Sequence, residues 1–232
     1  MKVAVINFSG NVGKTTVARH LLAPRIAGAR VIAIESINTD DGQTDALRGR
    51  QFAELQEYLQ TVDDVVVDIG ASNVEDLLSL MRKYRGSHED FDYFVIPTVP
   101  ALKQQQDTVA TLAELIRIGI PASKLRVVFN QVEDDARILQ TFDILLDFIE
   151  QHPPAQANTL CRLGANEIYE RVKGTGIGLA ELAKDPTDYK GLIAQAAGTG
   201  DKVALAQKLA TRRLALGVVP ELDECFLALD LH

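Results

Sequence analysis

Four apolar residues, Val3-Ala4-Val5-Ile6, lead through Asn7-Phe8 into Ser9-Gly10-Asn11-Val12-Gly13-Lys14-Thr15-Thr16. A buried strand, a glycine-bearing turn and a Gly-Lys-Thr that opens a helix together make a loop that cradles phosphate. Backbone N–H groups of such a turn point at the phosphates, and the helix N-terminus adds a favourable dipole. Lys14 would neutralise the β- and γ-phosphates, and the Thr15 hydroxyl would ligate Mg²⁺. The general G-x-x-x-x-G-K-[ST] pattern asks for a further glycine five residues before Gly13, where this chain has Phe8.

The rest of the chain alternates short β-branched runs with longer helical patterns. Strands are expected at 2–7, 30–35, 64–69, 92–96 and 125–130. Helices are expected at 14–27, 44–59, 74–84, 102–118 and 134–151, the last stopped by Pro153-Pro154. Strands this apolar on both faces belong in a parallel sheet covered by helices. After Pro154 a last strand is expected at 159–163 and a connector at Gly174-Thr175-Gly176-Ile177-Gly178. Helices then dominate, including one over 202–216 that Asp201 is placed to cap. The expected fold class is therefore α/β: a P-loop domain with a mostly parallel twisted sheet, helices on both faces and a helical C-terminal extension. One domain spans 1–232, with a nucleotide-binding core over 1–150 and a helical completion over 151–232.

Composition narrows the function classes. The chain has 232 residues, 47% of them hydrophobic and 24% charged, and a net charge of −8. A surface coated in positive charge for nucleic acid is excluded, though a local patch is not. Cys161 and Cys225 fit no metal-ligand spacing and read as reduced thiols of a cytoplasmic protein. No apolar run is long enough to span a membrane, and no signal peptide precedes the first strand.

A second element supports the loop. Val65-Val66-Val67-Asp68 is an apolar strand ending in a carboxylate, the form of a Walker B motif. From the carboxyl end of a strand beside the loop, Asp68 would hold Mg²⁺ through a water. The residues at the site would then be Ser9, Gly10, Asn11, Val12, Gly13, Lys14, Thr15 and Thr16 around the phosphates, with Thr15 and Asp68 on the metal.

The stretch Gly10-Asn11-Val12-Gly13-Lys14-Thr15-Thr16 resembles the deviant Walker A loop, Lys-Gly-Gly-Val-Gly-Lys-Thr-Thr, of the ParA/MinD ATPases. Further segments follow in that family's order. Val31 to Glu35 resembles the strand before switch I, and Val65 to Gly70 the Walker B strand with its switch II turn. Asp92 to Pro100 resembles a strand and loop ending in proline, and Val127 to Asn130 the strand whose terminal Asn reads adenine. The resemblance covers residues 1–150, and within the family it is closest to StbB-type plasmid stabilisation proteins. It implies bound ATP or ADP with Mg²⁺ and an adaptor protein that binds DNA or positions the complex. It also implies a nucleotide-dependent homodimer and a bacterial cytoplasm, with a plasmid-encoded role in stability or segregation.

The match is partial where it concerns hydrolysis. The family's signature lysine falls on Ser9 and its second glycine on Asn11. A serine hydroxyl brings no positive charge to a transition state. Glu35 replaces the first switch I aspartate and Ile37 the second, which leaves Asp40 or its neighbour Asp41 to orient a water. Lys14 and Asp40 are thus the catalytic candidates for slow, partner-stimulated hydrolysis. Arg48 and Arg50 either reach a neighbour or form the wet face of a helix.

Asn130 offers a donor and an acceptor in one plane for an adenine edge, and equally suits a cap. No Asn-Lys-x-Asp set for guanine is present, which favours ATP. Lys202, Lys208, Arg212 and Arg213 make a weakly basic helix, suited to weak DNA steering or to solvent. Phe226, Leu227, Leu229 and Leu231 sit in an acidic tail that suits packing on the domain or a partner rather than a lipid surface. The leading expectation is a switch ATPase. A nucleotide-gated binding module with little turnover is the alternative, and a ligase of the dethiobiotin-synthetase type a third.

Overall fold

A computed structural model describes residues 1–34, 45–151, 155 and 157–232, with side chains from residue 50 onward in the helix that begins at Asp45. Strands β1 (Lys2–Val5), β2 (Arg30–Ile34), β3 (Val65–Ile69), β4 (Tyr93–Thr98), β5 (Leu125–Val132) and β6 (Arg162–Gly164) form one sheet in the order β2-β3-β1-β4-β5-β6. All five pairings are parallel. The order follows from burial. Every residue of β3 is buried, as are Val3 to Val5 of β1, and they lie inside the sheet, whereas the more exposed β2 takes an edge.

Strand β4 runs through Pro97 rather than stopping before it. In a parallel strand the N and C=O of one residue point to the same neighbour. Pro97 faces the β1 side, beyond the last ladder bond there, from Ile6 N–H to the Val95 carbonyl. No sheet donor is therefore lost at the proline. Its carbonyl accepts instead from Asn7 Nδ2 at 2.9 Å.

The first helix, α1 (Lys14–Thr16), continues in a wide turn over Val17–Leu22 in which Ala23 N–H reaches back to the Ala18 carbonyl. It ends short of the expected Ala27 because the Pro24 ring cannot follow the His20 carbonyl. That carbonyl is taken by Arg25 Nη1 at 2.8 Å. Helices α2 (Asp45–Thr61), α3 (Val74–Lys83) and α4 (Leu102–Ile118) match their expected spans within two residues.

The expected helix over 134–151 is broken into α5 (Ile138–Thr141) and α6 (Asp143–Gln151). Between them Phe142 turns inward and packs edge-on to Phe129, ring centres 4.9 Å apart. Buried Gln105 of α4 satisfies the break, donating to the Thr141 carbonyl at 2.9 Å. The core of this part joins the sheet to α2–α6 through residues such as Phe52, Val67, Leu77, Phe94, Leu112 and Leu145.

The chain divides into two compact units, Met1–Gly164 with Cys225–His232, and Ala165–Glu224. The second is helical: α7 (Ile168–Arg171), α8 (Leu179–Lys184), α9 (Tyr189–Gln195) and most of α10 (Thr199–Ala228). The glycine-rich stretch 174–178 is a connector between α7 and α8. Asp201 lies in the first turn of α10 rather than before it, where its charge favours the helix N-terminus.

Candidate functional site: the loop after β1

β1 sits where the chain changes direction in the sheet: β2 and β3 lie on one side of it, β4 to β6 on the other. Crossovers leaving to opposite sides open a crevice at the carboxyl ends of the strands. Residues 7–13 emerge into that crevice.

Left-handed backbone shapes the loop at two points. Asn11 has φ 58°, a conformation asparagine tolerates better than other side-chain-bearing residues. Asn11 thus holds the left-handed turn at less cost than most side-chain-bearing residues would. Gly13 has φ 86°, and a Cβ there would lie 2.0 Å from Asn130 Nδ2. Gly13 is thus required twice, by conformation and by close approach. Its carbonyl takes the first helical bond, from Val17 N–H at 2.9 Å.

Lys14 is 8% exposed, and its Nζ donates to the Asn7 carbonyl at 3.1 Å and the Ser9 carbonyl at 2.6 Å. Burial lowers its pKa from 10.5 to about 8, against the raising influence of Asp68. The Thr15 hydroxyl donates to Asp68 Oδ2 at 2.7 Å, and Asp68 is buried in register with Val5 of β1 and Ala33 of β2. A hydroxyl and a carboxylate oxygen this close form a hard-oxygen pair suited to Mg²⁺, which keeps several waters and leans on phosphate for its remaining ligands. Among the described residues Thr15 and Asp68 are the pair that would hold it.

Asn130 ends up against the loop. Its Nδ2 donates to the Val12 carbonyl at 3.0 Å, and its Oδ1 accepts from Gln131 N–H at 2.9 Å. One amide hydrogen is left over.

Beneath the loop lies a buried polar network that the sequence reading missed. Asn7 Nδ2 donates to Thr108 Oγ1 at 2.8 Å as well as to Pro97, and Asn7 Oδ1 accepts from Ser9 N–H at 2.8 Å. Thr108 reaches Thr98 Oγ1 at 3.1 Å, and Phe8 N–H donates to Thr111 Oγ1 at 3.1 Å. The Ser9 side chain is near enough to the Asp107 carboxylate to influence it. Asp107 accepts from Lys103 Nζ at 2.8 Å, and the two together hold its pKa below the usual carboxylate value, Lys103 contributing most. The one signal was Thr108 and Thr111 on the inward face of a helix, polar where the period asks for apolar residues.

Glu35, Ile37, Asp40 and Asp41 lie outside the described residues, as does the side chain of Arg48. Arg50 pairs with Glu54 at 3.1 Å on an exposed helix face. Arg212 Nη1 donates to the Thr187 carbonyl at 2.9 Å. In the tail, Leu229 is buried and Leu227 is 77% exposed. Among the described residues no helix is long and apolar enough to cross a membrane.

A parallel sheet with the loop at its switch point, followed by a Lys-Thr helix start and a strand-end aspartate, is the architecture of a P-loop α/β fold. The apo form of Cyanothece McdA shares that fold with a TM-score of 0.50 and 14% identity, over 93% of this chain and 99% of McdA. An ATP complex of a Cyanothece McdA variant gives 0.45 and 15% identity, over 94% of this chain and 96% of the other. The pNOB8 ParA bound to nonspecific DNA gives 0.42 and 12%, over 98% and 97%. No protein-family model matches the sequence. No curated protein matches it either.

Proposed function

We propose that the chain is an ATP-binding switch of the ParA/MinD kind, which hydrolyses ATP slowly and acts with an adaptor in plasmid stability, segregation or intracellular positioning. The observation that supports it most is the convergence of Lys14, Thr15 and Asp68 at the mouth of the loop, with Thr15 and Asp68 only 2.7 Å apart. When bound, Mg²⁺ would neutralise charge on the β- and γ-phosphates. The loop's N–H groups and Lys14 bind and orient those phosphates. Lys14 exchanges two backbone carbonyls for phosphate oxygens, which are stronger acceptors for an ammonium. The remaining amide hydrogen of Asn130 faces the adenine edge in this reading. Asp40 is proposed to orient the attacking water.

Mg²⁺-dependent binding of ATP in preference to GTP tests the reading, with Lys14→Ala as control. Equal binding by the control would sink it. Turnover separates a switch from a second reading, a nucleotide-gated module, which Ser9 favours by supplying no cation at the loop. ATP-dependent dimerisation with turnover above the Lys14→Ala level supports the switch. Tight ATP binding by a constant monomer supports the module. Weak DNA binding by the helix bearing Lys202, Lys208, Arg212 and Arg213 is part of the first reading, and a salt-dependent shift of DNA mobility measures it.

A further inference from the structure

Three residues of α4 at successive turns, Lys103, Asp107 and Thr111, share the helix face that lies along residues 7–9. Thr111 takes the Phe8 N–H at 3.1 Å, and Ser9 is near enough to Asp107 to help hold its carboxyl below the usual pKa. Next to them, Thr108 bonds Asn7 at 2.8 Å. The helix is therefore fastened to the rising limb of the loop, and the position of its first turn is fixed with respect to the phosphate cradle. Lys103 stands in that first turn, at the carboxyl edge of the sheet where the loop emerges. Its Nζ is 2.8 Å from Asp107 Oδ2, and its side chain is 77% exposed.

Among the described residues the cradle is short of positive charge. Ser9 supplies none, and Lys14 is buried with its ammonium on two carbonyls of the loop. Mg²⁺ and Lys14 are shared between the β- and γ-phosphates, and ATP asks them to cover one charged phosphate more than ADP does. Lys103 is the cation that α4 pairs with Asp107, the carboxylate whose pKa Ser9 helps to lower, and it has the means to move. An exposed ion pair four residues apart on a helix is weak, whereas an ammonium on a phosphate in a partly desolvated crevice is a strong charge-assisted bond. The lysine stem is long and flexible enough to leave the pair.

We propose that Lys103 is a γ-phosphate-binding residue, parked on Asp107 and transferred to the terminal phosphate when ATP occupies the loop. Asp107 is then a positioning residue that competes with the phosphate for the same ammonium. The inference rests on the nucleotide reading above and deepens it: it assigns the group that tells ATP from ADP.

The experiment is a comparison of Mg²⁺-ATP and Mg²⁺-ADP affinity for the full chain and three variants. Lys103→Ala should weaken ATP roughly tenfold and leave ADP within about twofold, as expected for loss of one charge-assisted contact. Lys103→Arg should restore most of the ATP affinity. Asp107→Asn should tighten ATP by about threefold, because it removes the competitor of a weak exposed pair. Opposite signs at the two positions separate this role from a structural one, in which both variants would weaken both nucleotides together. Unchanged ATP affinity in Lys103→Ala, equal losses of ATP and ADP, or an Asp107→Asn change that follows Lys103→Ala would each overturn it while leaving nucleotide binding itself intact. Failure of the unmodified chain to bind Mg²⁺-ATP overturns both readings.

Discussion

The two ends of the parallel sheet each bury a cation, and they use it in opposite ways. At the amino end Arg126 is 5% exposed and donates to four backbone carbonyls, those of Ser123, Leu125, Leu229 and Asp230. Its guanidinium lies 4.9 Å from the centre of the Tyr93 ring, and the Tyr93 hydroxyl accepts from His232 N–H. The last residues of the chain are thereby fastened across β4 and β5. At the carboxyl end Lys14 also rests on backbone carbonyls, but at a loop whose crest residues Gly10 and Asn11 are exposed. An arginine stays charged in any environment and so makes a permanent fastening. A buried lysine is held at a cost, shown by its lowered pKa, and gains when an anion arrives. The first cation fastens the fold, and in the proposed function the second is the one that takes a ligand.

Exchanging the two roles is the strongest way to break that comparison. Arg126→Met should cost about 3 kcal/mol of stability by stranding buried carbonyls and freeing the terminal segment, with nucleotide affinity retained in the folded fraction. Lys14→Ala should do the reverse: binding falls at least about 100-fold, near 2.7 kcal/mol, while the unfolding midpoint holds or rises. Chemical denaturation beside calorimetric titration reads both. A melting loss in Lys14→Ala as large as in Arg126→Met would end the distinction.

Gly13→Ala comes next. The added methyl meets Asn130 Nδ2 at 2.0 Å in a left-handed conformation, so the loop or Asn130 must shift. A loss of about 2 kcal/mol in stability together with nucleotide binding is expected. Thermal melting and titration of the same preparation check it.

The pH profile sharpens the contrast further. Lys14 has its folded pKa near 8 against 10.5. Between those values the unfolded chain keeps a proton that the folded chain has lost, so this group's contribution to stability rises with pH. Phosphate binding needs the ammonium form and should weaken above pH 8, by up to roughly tenfold per pH unit. Lys14→Arg should flatten that decline. An affinity flat to pH 10 in the unmodified chain would show that Lys14 is not the phosphate's partner.

The smallest expected effect belongs to Asn130→Ala, which releases the Val12 carbonyl. Nucleotide affinity should fall about fivefold, the worth of one buried hydrogen bond. If Asn130 serves the loop alone, ATP and GTP lose equally; if it also reads adenine, ATP loses more. Parallel titrations with both nucleotides decide.

Much of the fold was legible because its signals are local. The β-branched runs gave five strands, and the 3.6-residue period gave α3 and α4 almost to the residue. Where the reading slipped, a distant partner had intervened. Pro97 reads as a strand terminator, yet β4 passes through it because its nitrogen faces β1 beyond the last ladder bond, where no donor is needed. Residues 134–151 read as one helix, yet Gln105 and Phe129 hold it open at Phe142. The loop residues were legible from their motif, and Asp68 from its place at the end of an apolar strand.

The sequence by itself determined a strand–loop–helix with a Gly-Lys-Thr start and a carboxylate at the end of another apolar strand, because apolar runs, left-handed turns and helix starts are set by neighbouring residues. Only the tertiary structure decided which groups meet there. It put Asp68 on Thr15, Asn130 on Val12, and Asp107, which pairs with Lys103, near Ser9. The physical reason is that parallel strands and their crossovers join residues dozens of positions apart, while a side chain's pKa, partners and freedom to move depend on what those crossovers bring against it.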